Sequence, residues 1–323
     1  MPTSLVRWKT GLLTGLALAL AMPWSAQAAE LIVGDQSYSA RTVMEAAGVL
    51  KDLPYELEWK QFTAGSPVAE ALNVGSLDVG LLGDSPALFM GALGAPIKVI
   101  GVSRQSLEGV AIVVRKDSSI RTVADLAGKK VAIWKGSFSQ QLMLTALDKA
   151  GVPRDAVDYR YLSALDSSHA LDGGSVDAIA TWEPYVTQQE RQGARIITTA
   201  QGLIPAQSFI VANDKAINHK RAQISDFLQR LQAARAWSVS DPQHNEIYAN
   251  AWAALTKADA EVASRWFSRA HVVVVPITPD VVAGAQQTID FFNNAGLTKR
   301  YPAASVFDES FNAALQGQTQ VSR

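Results

Sequence analysis

Two stretches decide how this chain is organised. "ALNVGSLDVGLLGDSP" runs from Ala71 to Pro86, and "ALDGGSVDAIATWEPY" runs from Ala170 to Tyr185. Ala, Leu, Gly, Ser and Asp recur at matching places, and each copy ends on an acid, Asp84 or Glu183. In both, the pattern reads as a helix stopped by glycine, a polar turn, a short apolar strand, and the start of a new helix. One chain thus spells the same structural step twice.

Working outward, short apolar runs alternate with helical patterns on both sides of each copy, which argues an α/β fold. Ahead of the first copy come the strand "LIVGD" (31–35), a helix from about Ala40 to Leu50, and the strand "YELEWKQF" (55–62). Ahead of the second come the short helix "TVADLAG", the strand "KKVAIW", the turn "KGSFS" and the helix "QQLMLTALDKAG". The sequence predicts two similar α/β lobes, residues 29–114 with 214–323 and residues 115–213. The runs "GVAIVVRKDSSI" and "SFIVANDKAI" are expected to be the two crossovers that join them. From Lys220 onward the chain reads as mostly helical, with Asp241–Pro242 and Thr278–Pro279 as helix starts.

The first 28 residues are expected to be a cleaved signal peptide rather than part of the fold. Arg7 and Lys9 supply a basic start, "GLLTGLALALAMPW" an apolar core, and Ala26 and Ala28 the small-residue exit read by signal peptidase. This predicts a mature protein that begins near Ala29 or Glu30 and leaves the cytoplasm. The alternative, an uncleaved anchor, is disfavoured by Pro23 and by a run of barely spanning length.

The chain has 323 residues and no cysteine, which excludes disulfides, thiolate metal sites and cysteine nucleophiles. With 48% hydrophobic residues it has the material for a large core. A net charge of −1 without a basic block argues against nucleic acid as a partner.

In open α/β sheets, ligands bind where strands end and turns enter helices. Those turns here are small and hydroxylated: Gln36-Ser37-Tyr38-Ser39, Gly83-Asp84-Ser85 and Gly136-Ser137-Phe138-Ser139-Gln140. Free backbone amides at helix starts, with hydroxyl donors beside them, suit an anion. The plainer reading makes these serines ordinary helix caps. Trp134 and Trp182 end strands just before such turns and are expected to wall an apolar pocket or to pack in the core. Asp84 and Glu183 repel an anion, so they are expected either to cap helices or to hold a cationic group of the ligand. Arg104 is a candidate partner for an anion but reads more simply as a solvated arginine.

Enzyme readings fare poorly. "GDS" at Gly83–Ser85 and a D-x-x-H at Asp166–His169 match a serine-hydrolase pattern only loosely, because both blocks are internal. Pro86 also suits a helix start better than a nucleophile turn. The four histidines are dispersed, and no phosphate-binding glycine motif is present.

The chain resembles the periplasmic binding proteins of ABC importers for aliphatic sulfonates, with taurine and nitrate binders as relatives. The likeness is carried by "FTAGSPVAEALNVGSLDVGLLGDSPALF", "TVADLAGKKVAIWKGSFSQQLMLTALDKAG" and "VDAIATWEPY", and it runs from about Leu31 to Leu315. It implies a two-lobed type II fold that closes on its ligand and docks on a membrane permease. It further implies a non-catalytic monomer without cofactor or metal. The ligand turns of those proteins map onto Gly83–Asp84, Gly136–Ser139 and Trp182–Tyr185. Three departures stand out: "DQSYS" in place of a "YQKG"-like first turn, Phe138 in place of a small residue, and Glu183 in place of aspartate. The expected ligand is an organosulfonate, with taurine, a sulfate ester or nitrate as alternatives.

Overall fold

The computed structural model describes residues 30–205 and 207–316; the expected signal peptide lies outside them. The chain opens with β1 (Glu30–Gln36), α1 (Ser39–Ala46), β2 (Glu56–Phe62), α2 (Gly65–Asn73), β3 (Val79–Gly83), α3 (Asp84–Ala92) and β4 (Ile97–Arg104). It continues through β5 (Val110–Val114), β6 (Lys130–Ile133), α4 (Phe138–Lys149), β7 (Asp158–Tyr161), α5 (Ala164–Asp172), β8 (Ala178–Trp182), α6 (Tyr185–Arg191) and β9 (Arg195–Thr199). It returns through β10 (Ser208–Asn213), α7 (Asp214–His219), α8 (Arg221–Ser240), α9 (Pro242–Thr256) and α10 (Ala260–Ala270). Last come β11 (Val273–Val275), α11 (Pro279–Asn294) and α12 (Asn312–Leu315).

Two sheets form, in the orders β11-β4-β10-β3-β1-β2 and β7-β6-β8-β5-β9. Apart from the extra edge strand β11, the second repeats the first: β6, β7 and β8 stand where β1, β2 and β3 stand. In each, one antiparallel strand lies beside the third parallel one, β10 against β3 and β5 against β8.

The repeated string has a repeated job. Gly75 and Gly174 take φ of +74° and +71°, the left-handed turn that ends α2 and α5. The hydroxyls of Ser76 and Ser175 then donate to the carbonyls of Ala71 and Ala170, each at 3.1 Å. Next, the carboxylates of Asp78 and Asp177 accept the amides of Ile32 and Lys130, both at 2.8 Å. Each aspartate thereby sets its strand beside the first strand of its own lobe, so the same five letters close the same corner twice.

The strands expected to be crossovers are not. β5 pairs only with β8 and β9, and β10 only with β3 and β4. The links between sheets are the short segments from β4 to β5 and from β9 to β10. The boundaries expected at 114 and 213 therefore move, with β5 joining the second sheet and β10 the first. The reason is burial: all five residues of β5 are buried, and they serve two opposite cores. A strand covered on both faces sits inside a sheet rather than in a solvent-exposed link.

Sheet one is covered on both faces. Leu31, Val33, Ile100 and Ile210 pack against α1, α8 and α9. Val102, Phe209 and Val211 pack against α2, α3 and α11 on the other side. The alternation within β10 between these two sets is the period-two pattern of a strand.

Candidate functional site

The carboxyl ends of both sets of parallel strands meet at a cleft between the lobes. It encloses a cavity of about 180 Å³. From the first lobe come the β1–α1 turn, the β2–α2 turn and Gly83. The second supplies Trp134, Ser137, Phe138, Trp182 and Glu183, and the returning helices supply Arg235, Trp266 and Phe267.

Eight of the residues singled out from sequence line this cavity: Gln36, Ser37, Gly83, Trp134, Ser137, Phe138, Trp182 and Glu183. Six do not: Tyr38, Asp84, Ser85, Gly136, Ser139 and Gln140. Each of the six has a structural position of its own. Tyr38 and Ser37 both adopt left-handed backbone, which turns the Tyr38 side chain away onto the first lobe's core. Its amide donates to Oε1 of Gln61 at 2.9 Å.

Asp84 is fully buried, and so is Ser85. One Asp84 oxygen accepts the Ser85 hydroxyl at 3.0 Å. The other accepts the Gln207 amide at 3.2 Å and the Thr288 hydroxyl at 3.3 Å. Asp84 thus ties the start of α3 to the β9–β10 link and to α11. Burial is the chief influence that pushes its carboxyl up to about 6, against the hydrogen bonds that hold it down.

The serine turn ahead of α4 largely satisfies itself. Ser137 caps the helix by accepting the Ser139 amide at 3.2 Å and donates to the Trp134 carbonyl at 2.7 Å. The Ser139 hydroxyl, completely buried, accepts the Trp134 amide at 2.9 Å. Gln140 Oε1 accepts the Gly136 amide at 2.7 Å. In this turn the Ser137 and Ser139 hydroxyls act as a cap and a turn tie, and Ser137 also lines the cavity. Apart from the Ser139 amide, which Ser137 caps, the backbone amides at the start of α4 lack helical partners and carry the partial positive charge of a helix end.

Two of the three charged groups on the wall are already matched. Asp35, at the end of β1, accepts the amides of Gln36 at 2.8 Å and Arg41 at 3.0 Å, so it occupies the start of α1 itself. Its burial raises its carboxyl, opposed by these bonds. Glu183 accepts the Thr187 amide at 3.0 Å, the Thr187 hydroxyl at 2.9 Å and Arg269 at 2.9 Å. Burial raises its carboxyl too. Glu183 is therefore a cap and an ion-pair partner, and no carboxylate here is free for a cationic ligand group. Arg104, outside this wall, pairs with Asp280.

Sequence reasoning placed Ser39 in the first turn, and it lies on the wall; it missed Asp35, Arg235, Trp266 and Phe267, also on the wall. The last three arrive on helices read only as packing. One signal was present: Arg235 interrupts the buried stripe Ile224, Phe227, Leu228, Leu231, Ala234 of α8.

The lobes touch around the cavity. Phe138 lies against Gly83, the Gln141 amide donates to the Thr288 hydroxyl at 3.4 Å, and Arg154 stacks over Phe291. On the far side α6 and α10 are joined by Arg191 to Asp259 and Glu261, and by Arg269 to Glu183 and Glu190. Among the described residues no cluster of His, Asp and Glu is arranged to hold a metal ion, and no helix is long and apolar enough to cross a membrane.

Residues 52–245 match the model of the NMT1/THI5-like family. A putative aliphatic sulfonates-binding protein of Escherichia coli K12 is 34% identical over 286 residues, spanning 87% of this chain and 88% of that one. Among solved structures, the periplasmic aliphatic sulphonate binding protein SsuA of Escherichia coli superposes with a TM-score of 0.78 at 31% identity, covering 86% of this chain and 92% of that one. The alkanesulfonate-binding protein SsuA of Xanthomonas axonopodis pv. citri, bound to MOPS, gives 0.79 at 29% identity, over 88% and 99%.

Proposed function

The chain belongs to the NMT1/THI5-like family, and from that premise we propose that it is the periplasmic solute-binding protein of an ABC importer for an aliphatic sulfonate. The single observation that carries the ligand class is the make-up of the inter-lobe cavity. Its apolar lining includes Trp134, Phe138, Trp182 and Trp266, and its polar lining the β1–α1 turn, Ser137 and Arg235. An alkyl chain belongs against the aromatic rings and an oxyanion head against the donors. Similarity to proteins named as sulfonate binders supports binding without chemistry.

Closure follows from the position of the cavity. A ligand that touches both lobes favours the closed state by its differential affinity, and the closed form is what permease subunits would meet. Taurine is a weaker fit than a simple alkanesulfonate, because Asp84 and Glu183 are both taken by protein donors. Nitrate would leave the aromatic wall unfilled.

Thermal unfolding with alkanesulfonates, taurine, sulfate esters and nitrate at equal concentration tests this. A ligand at 100 times its Kd adds about 2.7 kcal/mol to stability. Stabilisation by alkanesulfonates is expected; none from any sulfonate overturns the reading.

A further inference from the structure

We propose that Arg235 supplies the charge that recognises the ligand's anionic head; this rests on the anion-binding reading of the cleft and deepens it. Arg235 is on α8, only 5% exposed, yet it reaches the cavity wall. Among the described residues lining the cavity it is the single cation. Its Nη2 donates to the Ser39 hydroxyl at 2.9 Å and its Nη1 to the Tyr248 hydroxyl at 3.2 Å. Those bonds use two of the five donors of a guanidinium. The Nε is buried and has no partner.

A buried guanidinium demands a counter-ion, because taking the charge out of water costs several kcal/mol unless it is paired. No described carboxylate pairs with it directly. Asp35 is near enough for its carboxyl to feel the arginine, but its oxygens are held by the amides of Gln36 and Arg41. The arginine is also held in place: Tyr248 lies beneath it, stacked on Phe267 at 3.7 Å, and Ser39 fixes one edge. The result is a rigid fork on the cavity wall with part of its donor set unused. A tetrahedral oxyanion offers the planar acceptor pair that such a fork fits.

The head therefore sits by the β1–α1 turn of the first lobe.

The test is calorimetric titration of wild type, Arg235→Met and Arg235→Lys with 1-butanesulfonate, its uncharged sulfonamide, sulfate and nitrate. Unliganded variants are compared by circular dichroism. Wild type should prefer sulfonate to sulfonamide strongly. Arg235→Met should lose about 10- to 100-fold in sulfonate affinity and most of that preference. Arg235→Lys should weaken binding while keeping the preference, since it retains charge but not the fork. Should Met destabilise the fold, the lysine variant and the wild-type preference still decide. Wild type taking sulfonate and sulfonamide equally, or a folded Met variant within twofold of wild type, overturns the proposal. If wild type takes only sulfate or nitrate and the Met variant loses it, Arg235 keeps its role and the sulfonate reading falls. Wild type taking none of the anions overturns both.

Discussion

Nη1 of Arg269, on α10 of the first lobe, lies 2.9 Å from Oε1 of Glu183, which follows β8 of the second. The Glu183 side chain is 5% exposed and the arginine 16%, so the pair is largely out of water. Glu190 takes the other end of the same guanidinium. The two lobes are thus held together by a charge pair directly at the cavity's rim. Removing one member of such a pair strands the other.

Arg269→Met should accordingly destabilise the protein by about 3 kcal/mol. Adding Glu183→Gln should recover part of that loss. A double-mutant cycle from denaturant unfolding measures the coupling, and additive losses would show the pair to be idle. Small-angle scattering of the unliganded single variant should show a larger radius of gyration, as the lobes part.

Gly83 has no room for a side chain. A Cβ there would stand 2.9 Å from Cζ of Phe138, across the cleft. Gly83→Ala should therefore hold the lobes slightly open and lower ligand affinity several-fold. Phe138→Ala added to it should restore closure. If Gly83→Ala binds as wild type does, the ring is free to move and does not gauge the cleft.

Ser139 is buried behind the cavity wall and Ser137 caps α4. Replacing Ser137 with alanine should lower stability by about 1 kcal/mol, the usual cost of a lost cap. Replacing Ser139 leaves the partly buried Trp134 amide without its acceptor, for a loss of about 1–2 kcal/mol. Ligand affinity of both variants should stay within about threefold of wild type, read by titration at a temperature where the fold is intact. A large affinity loss without a stability loss would return these hydroxyls to the ligand.

Asp84 makes stability fall as pH rises. Its folded carboxyl titrates at about 6, above the unfolded value near 3.8, so between those pH values the folded state binds the extra proton. Stability from this group is full below the unfolded value and is lost as pH climbs through 6, by roughly 3 kcal/mol. Asp84→Asn removes the titration. The thermal midpoint of wild type relative to Asp84→Asn should thus drop between pH 4 and pH 7. A flat difference would mean the carboxyl is not raised.

The two-lobed plan was legible because it is written in local rules. Gly75 and Gly174 end helices, Ser76 and Ser175 tie them off, and Asp78 and Asp177 pin the next strand. Each of those contacts except the aspartate's spans a few residues. The aromatic lining at Trp134, Phe138 and Trp182 was legible for the same reason, since strand ends point at the cleft in any such sheet.

What the amino-acid order alone determined, then, was the alternation of elements, the duplication, and the turns that face the cleft. Tertiary structure decided sheet membership of β5 and β10, because a five-residue apolar strand reads the same whichever neighbour covers it. It also decided the fate of each polar group. Asp84 turned inward to Gln207 and Thr288, Glu183 across to Arg269, and Arg235 arrived at the wall from a helix two hundred residues downstream of Gln36. Hydrogen bonds and charges act over a few ångströms of space, and only the folded chain says which side chains share those ångströms.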